Sequence, residues 1–310
     1  MNTFAPEKFN VVGHSKLIFI ISLALVVLFV ASVFVFGFNL DVDFTGGATL
    51  TVDLGRATTK QDADDITALF KDTVKFAPSS VQRTGESEIV IKSTELNNKN
   101  REALQDAITK KFNLSTEADT TPISFDNIGG SVSDDVKRSV ILSTVITIAL
   151  MLVYITFRFE FKSGLAAIVC LALNVVIMLL FYSIFHISVN SNLIACILTI
   201  LGYSINNTIV IFDRVREMAK GDPEGDFGAI VNVAVGKSFF RTLNSTITTL
   251  LTVTAIFIIG TPSVRNFTLP LIIGIIAGFF TSIFLAGPFW NLIRSKKDGQ
   301  KVQKVKKIRV

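Results

Sequence analysis

The sequence predicts an α-helical polytopic membrane protein: six transmembrane helices, with one ferredoxin-like α+β extracytoplasmic domain between the first and the second. Three observations predict it. Half of the 310 residues are apolar, and the mean hydropathy of +0.55 is higher than an ordinary soluble domain shows. The apolar residues come in blocks of membrane-spanning length. Charge is segregated within the net +5: residues 39–136 hold 17 Asp/Glu against 10 Lys/Arg, whereas residues 294–310 hold eight Lys/Arg against one acid. An acidic block and a basic tail on one membrane protein belong on opposite sides of the bilayer, and this argues against nucleic-acid binding.

Residues 17–38 carry no charge and are long enough to span, at roughly 20 residues per crossing. A cleaved signal peptide would have a shorter apolar core of about 7–15 residues, so this stretch is taken as the first span. Lys8 and Lys16 precede it and acids follow it, which puts residues 1–16 in the cytoplasm.

Residues 39–135 read as the outer domain. Residues 48–54 alternate as a strand. Ile66, Leu69, Phe70 and Val74 fall at helical spacing, and residues 80–83 and 88–92 flank a short Gly-containing turn. Leu104, Ile108 and Phe112 mark a second helix over 98–112, and residues 121–125 a last strand. The order β-α-β-β-α-β is the split ferredoxin-like unit. Ahead of its first strand stands Asp41-Val-Asp43-Phe-Thr-Gly46-Gly47. This is read as a sharp entry from membrane to domain, because the glycines permit a turn that a side chain blocks. A Ca²⁺ loop would need more oxygen ligands at closer intervals.

The remaining spans are 136–157, 163–185, 189–212, 241–260 and 267–293. Residues 213–240 form a cytoplasmic loop whose later part lies along the bilayer surface. The basic tail 294–310 stays inside. With both termini cytoplasmic, Lys and Arg of the short loops fall on one side, Arg265 excepted.

Polar residues interrupt these spans: Asn174 in the third, Asn206 and Asn207 in the fourth. In the fifth, Arg241, Asn244 or Ser245, Thr248 and Thr252 recur every three to four residues. That spacing gives one helical face, expected to meet the asparagines. Such residues serve either as interhelical hydrogen-bonding glue or as parts of an ion path. Gly274, Gly278 and Ser282 form a close-packing stripe in the sixth span. Cys170 and Cys196 read as small buried hydrophobes, and His186 as a solvated loop residue. The predicted spans contain no Asp or Glu. No Walker loop, HExxH or GxSxG is present, so neither an enzyme, a metal site nor a cofactor is expected.

LTILGYSINNTIVIFDRVRE resembles the fourth-span signature of SecF members of the SecD/SecF family, in the resistance-nodulation-division superfamily. VDFTGG, SFFRTLNSTITT and IGIIAGFFTSIFLAGP are similar to the family's motifs at the start of the outer domain, the start of span five and the end of span six. The resemblance implies an accessory subunit of the Sec protein translocase in the bacterial cytoplasmic membrane. Its implied partners are a SecD-like subunit that completes a twelve-helix unit, a SecY-type channel, preproteins and membrane lipids. It also implies that ion-motive force drives the outer domains. The family's proton-linked carboxylate maps onto Asn207, its span-five arginine onto Arg241, and its span-three His-Asp onto Leu173 and Asn174. An amide does not titrate. Three alternatives therefore stay open: the partner supplies the coupling carboxylate, Na⁺ passes by amide and hydroxyl oxygens, or the subunit is a scaffold. A small-molecule exporter half would need a lipophilic cleft and a second bundle.

Overall fold

The computed structural model describes residues 10–84, 86–93, 96–114, 122–128, 130–158, 161–222 and 225–294. The basic tail beyond Arg294, residues 1–9 with Lys8, and the turn residue Gly85 lie outside the described residues.

Among the described residues, six helices are long and apolar enough to cross a membrane. They are α1 (Ser15–Phe36), α5 (Gly130–Arg158), α6 (Phe161–Ile184), α7 (Ser191–Gly221), α8 (Phe227–Ile259) and α9 (Pro262–Phe280), the last continuing through a π-helical turn, Thr281–Ala286. Their arrangement follows from which faces can tolerate lipid. Leu23, Phe34 and Val35 of α1 and Ile141, Leu142 and Leu150 of α5 are exposed. These two helices lie at the periphery, where acyl chains are the solvent. α6, α7 and α9 make the centre: α7 and α8 pack on α9, and α1 packs on α6.

Between α1 and α5 lie a four-residue helix, α2 (Val42–Thr45), then β1 (Gly47–Asp53), α3 (Lys60–Val74), β2 (Ser80–Thr84), β3 (Glu88–Ser93), α4 (Asn98–Phe112) and β4 (Ile123–Ile128). The sheet is wholly antiparallel with order β2-β3-β1-β4, the ferredoxin-like arrangement. Strand alternation sets its faces. Ala48, Leu50 and Val52 of β1 and Ile89 and Ile91 of β3 are buried in one core with Ile66 and Phe70 of α3 and Leu104 and Ile108 of α4. Thr59 and Asp62 form a reciprocal capping box at the start of α3. Asn97 caps α4 by accepting from the Asn100 N–H at 2.8 Å.

Two differences from the sequence reading concern span ends. The segment 213–240, expected as a cytoplasmic loop, is not a loop with a surface-lying part. α7 continues to Gly221, and α8 runs unbroken from Phe227 to Ile259. Ile230, Val231, Ala234 and Val235 are buried with Phe212 and Trp290, so this stretch is the root of span five. Its apolar stripe at helical spacing meets protein, which satisfies it better than the lipid interface. The loop expected after residue 260 is instead the first turn of α9, begun by Pro262, whose missing N–H costs nothing at a helix start.

Candidate functional site: a polar seam inside the bundle

Ser204, Asn207 and Thr208 stand at i, i+3 and i+4 on α7 and share one buried face. Opposite them, α9 presents Gly278, Thr281 and Ser282, and α6 presents Asn174, which is fully buried. The glycines set the approach. A Cβ on Gly274 would come within 2.1 Å of Ile200 Cδ1, and one on Gly278 within 2.9 Å of Asn174 Nδ2 and 3.0 Å of Ser204 Oγ. Gly274 and Gly278 thus let α9 close on α7 and α6.

The hydroxyls of the seam are partly paired. Thr208 Oγ1 and Ser282 Oγ are 2.9 Å apart, and both lie near the Ser204 carbonyl, at 3.2 and 3.3 Å. Thr281 Oγ1 donates to the Gly278 carbonyl at 3.2 Å. The amides are not paired. Among the described residues, both amide atoms of Asn174, Asn207 Nδ2, Ser204 Oγ and Thr242 Oγ1 are buried without a hydrogen-bond partner. Each such group costs about 1–3 kcal/mol, so the seam is held against a stability penalty. The π-helical turn Thr281–Ala286 borders it and presents Ser282, and such turns cluster at functional sites.

The two adjacent asparagines part company. Asn207 is buried and Asn206 is exposed. The span-five stripe also faces away from the seam: Arg241, Asn244, Ser245, Thr248 and Thr252 are all exposed. The residues that α8 turns inward are Ser238, Thr242 and Thr246, and Thr246 Oγ1 accepts from Tyr203 OH at 3.2 Å. This corrects the expected pairing of the stripe with the asparagines. Spacing fixes that residues share a face but not which way the face is turned. The signal for the true face was present, since Val231, Ala234, Val235, Ser238, Thr242 and Thr246 continue one helical stripe of small and apolar residues. The outward threonines need no neighbour, because Thr248 Oγ1 bonds the Asn244 and Ser245 carbonyls and Thr252 Oγ1 that of Thr248. Arg241 lines a polar recess of about 210 Å³ with Asp213, Arg214, Glu217, Lys237 and Ser238.

The domain-entry motif forms a joint. Asp41 caps α2 by accepting from the Val42 N–H at 2.7 Å. Gly46 ends α2 at φ 74°, and Gly47 follows where a Cβ would lie 2.2 Å from the Ser93 carbonyl oxygen. Asp43 Oδ2 accepts from Ser191 N at 3.0 Å and Ser191 Oγ at 2.8 Å, at the start of α7. Lys92 of β3 donates to Asp41 Oδ2 at 3.0 Å and Asp43 Oδ1 at 3.3 Å. Burial pushes the Asp43 carboxyl up, but the Ser191 bonds and the Lys92 charge outweigh it and hold it below its ordinary value. Sequence reasoning singled out Asp43, Gly46 and Gly47 but missed Asp41 as a partner, and missed Lys92 and Ser191, which lie 49 and 148 residues from Asp43.

Cys170 and Cys196 are free and buried. His186 is exposed on the α6–α7 connection. A half-open apolar cavity of about 600 Å³ lies between α1, α6 and α9, walled by Ile18, Leu25, Leu173, Ile177, Phe280 and Phe284 among others. Two hydroxyls line it, Ser22 and Thr281, and both bond their own helix backbone.

The comparisons agree on one family. Residues 108–296 match the family model described as "Protein export membrane protein SecD/SecF, C-terminal". The chain is 31% identical to the protein translocase subunit SecF of Acidaminococcus fermentans, over 94% of this chain and 99% of that one. It is also 31% identical to the protein translocase subunit SecDF of Bacillus subtilis, over 92% of this chain but 38% of the other. The crystal structure of SecDF from Thermus thermophilus, described as a translocon-associated membrane protein, superposes with a TM-score of 0.75 at 27% identity. That match covers 93% of this chain and 39% of the SecDF chain, so this protein spans about two fifths of its fused relatives. This multi-pass membrane protein therefore belongs to the SecD/SecF family of protein-export membrane proteins, with SecF subunits as its full-length relatives.

Proposed function

We propose that this chain is the SecF half of a two-bundle export unit in the bacterial cytoplasmic membrane, with both termini inside. It works beside a SecY-type channel as a transport subunit rather than an enzyme. Together with a SecD-like partner it couples ion-motive force to preprotein movement. One observation carries this reading: Asn206 and Asn244 are exposed on the outside of a bundle of membrane-spanning helices. Lipid tails offer these groups no hydrogen bonds, so a second polar bundle is their natural cover. SecDF relatives that carry additional sequence on the same polypeptide supply a candidate for that cover.

The division of labour follows from the side chains. Asn174 and Asn207 cannot ionise, and the predicted spans hold no carboxylate. The partner therefore contributes the titrating group, while Arg241 contributes positive charge at the shared face. An exporter role is not favoured despite the apolar cavity, because among the described residues the two hydroxyls that line it, Ser22 and Thr281, are engaged by their own helix backbones and not turned to a solute.

The test is reconstitution of the chain with its SecD-like partner and the channel in proteoliposomes. Preprotein translocation is followed with and without an imposed proton or sodium gradient. Coupling predicts acceleration by one gradient, lost in Arg241→Met. Translocation equally fast with both gradients collapsed would favour the scaffold reading.

A further inference from the structure

The outer domain and the span that carries Asn207 meet at one carboxylate. Asp43 Oδ2 takes both the backbone N–H and the hydroxyl of Ser191, the first residue of α7, while Asp43 Oδ1 faces the Lys92 ammonium. Asn190, the residue in the cap position of α7, makes no side-chain cap bond. The end of this 31-residue helix is thus capped from another segment, and its dipole favours the negative charge placed there. Lys92 is not peripheral to the domain. It sits on β3 between Thr49 of β1 and Ser80 of β2, so a force on it is shared by three strands. Its charge is held between two carboxylates, one of which, Asp41, is fully buried. A short backbone strap runs beside it: Asp41 N donates to the Val189 carbonyl at 2.9 Å and Val189 N to the Asn39 carbonyl at 2.8 Å. α2 also packs on α5, and β2 on α9.

We propose that Asp43 is a positioning residue that clasps the outer domain to α7, so that displacement of α7 is passed through Lys92 to the sheet. The entry motif is then a transmission joint rather than only a turn. The seam around Asn207 and the outer domain are joined by one helix, one carboxylate and one ammonium. This goes beyond the transport reading, and the measurement below does not depend on it.

The decisive variant is Ser191→Pro. It removes both bonds to Asp43 Oδ2 yet suits its place: proline is well tolerated at a first helical position. Asn190 already has the extended backbone, φ −119° and ψ 176°, that a residue before proline adopts. No residue of the domain is altered, so the variant decides whatever Asp43→Asn does to folding. Spin labels are placed at Lys110→Cys on α4 and Ile259→Cys at the outer end of α8, both exposed positions, in the full chain in lipid vesicles. Cys170 and Cys196 are buried and stay unlabelled. Pulsed electron–electron resonance should give a narrow distance distribution for the parent chain. The distribution should become at least twice as wide in Ser191→Pro, Asp43→Asn and Lys92→Met, and be unchanged in Asp53→Asn, a domain carboxylate outside the joint. A width and mean in Ser191→Pro equal to the parent's would overturn the proposal.

Discussion

Asn174 and Gly278 face each other so closely that a Cβ on the glycine would lie 2.9 Å from the asparagine Nδ2. The small residue is what lets a buried amide of α6 lie against α9. Ser204 Oγ would be 3.0 Å from the same Cβ, so no direction is open for the added carbon. Gly278→Ala should therefore cost about 1–3 kcal/mol, the usual range for overpacking. Gly274→Ala should cost no less, since three Ile200 atoms would lie within 2.8 Å. Unfolding followed by the fluorescence of the single Trp290, which packs on Phe212 and Phe227, checks both.

Asn174→Leu should act in the opposite sense on stability. Both amide atoms are buried without partners, and an apolar side chain of similar shape removes that penalty. A gain of about 1–2 kcal/mol is expected, with loss of any gradient-dependent stimulation of translocation. A variant that is more stable and less active would mark the seam as functional; a less stable one would show that the amide is paired in the membrane.

The rotation of α8 is tested by a pair of hydroxyl deletions. Thr246→Val or Tyr203→Phe breaks the 3.2 Å bond between α7 and α8 and should cost about 1 kcal/mol. Thr248→Val, whose hydroxyl bonds only its own helix, should change the stability of the isolated chain little. Equal costs at 246 and 248 would contradict the observed facing.

Gly47→Ala should unseat the outer domain. The new Cβ would lie 2.2 Å from a backbone oxygen of Ser93, which cannot swing away as a side chain could. A loss of about 3 kcal/mol, the upper end of overpacking costs, should appear as rapid proteolysis within residues 47–128 of the full chain.

Acid should weaken the domain through Asp62. Its hydrogen bonds from the Arg56 guanidinium, at 2.7 and 2.9 Å, and from Thr59 outweigh burial and hold the carboxyl well below the usual carboxylate range. A depressed carboxyl contributes fully above its unfolded pKa of about 3.9 and loses that contribution as pH falls toward its folded value. Melting temperature should thus drop below about pH 4, with a shallower drop in Asp62→Asn. Thr59→Ala, which removes the cap, should cost about 1 kcal/mol at neutral pH.

Much of the architecture was legible because membrane and sheet impose strict periods. Apolar runs of about 20 residues have few alternatives to spanning helices. The alternation at Ala48, Leu50 and Val52 and the helical spacing of Ile66, Phe70, Leu104 and Ile108 carry the ferredoxin-like domain. The seam was legible in part: Asn174, Asn207, Gly278 and Ser282 all belong to it, whereas Ser204 and Thr208 were overlooked. They sit at i−3 and i+1 from Asn207 and look like ordinary small helix residues until α9 is seen to close on them.

By itself, the amino-acid sequence determined the number of spans, the domain between the first two, and spans that hold no Asp or Glu, since these depend on local composition. Only the tertiary structure decided which of two neighbouring asparagines is buried, that Arg241 and Thr248 look outward, and that Asp43 reaches Ser191 and Lys92. Helix rotation and long-range contact are set by how several elements pack at once, about 100° of turn separating one residue from the next on a helix, and no local pattern encodes that sum.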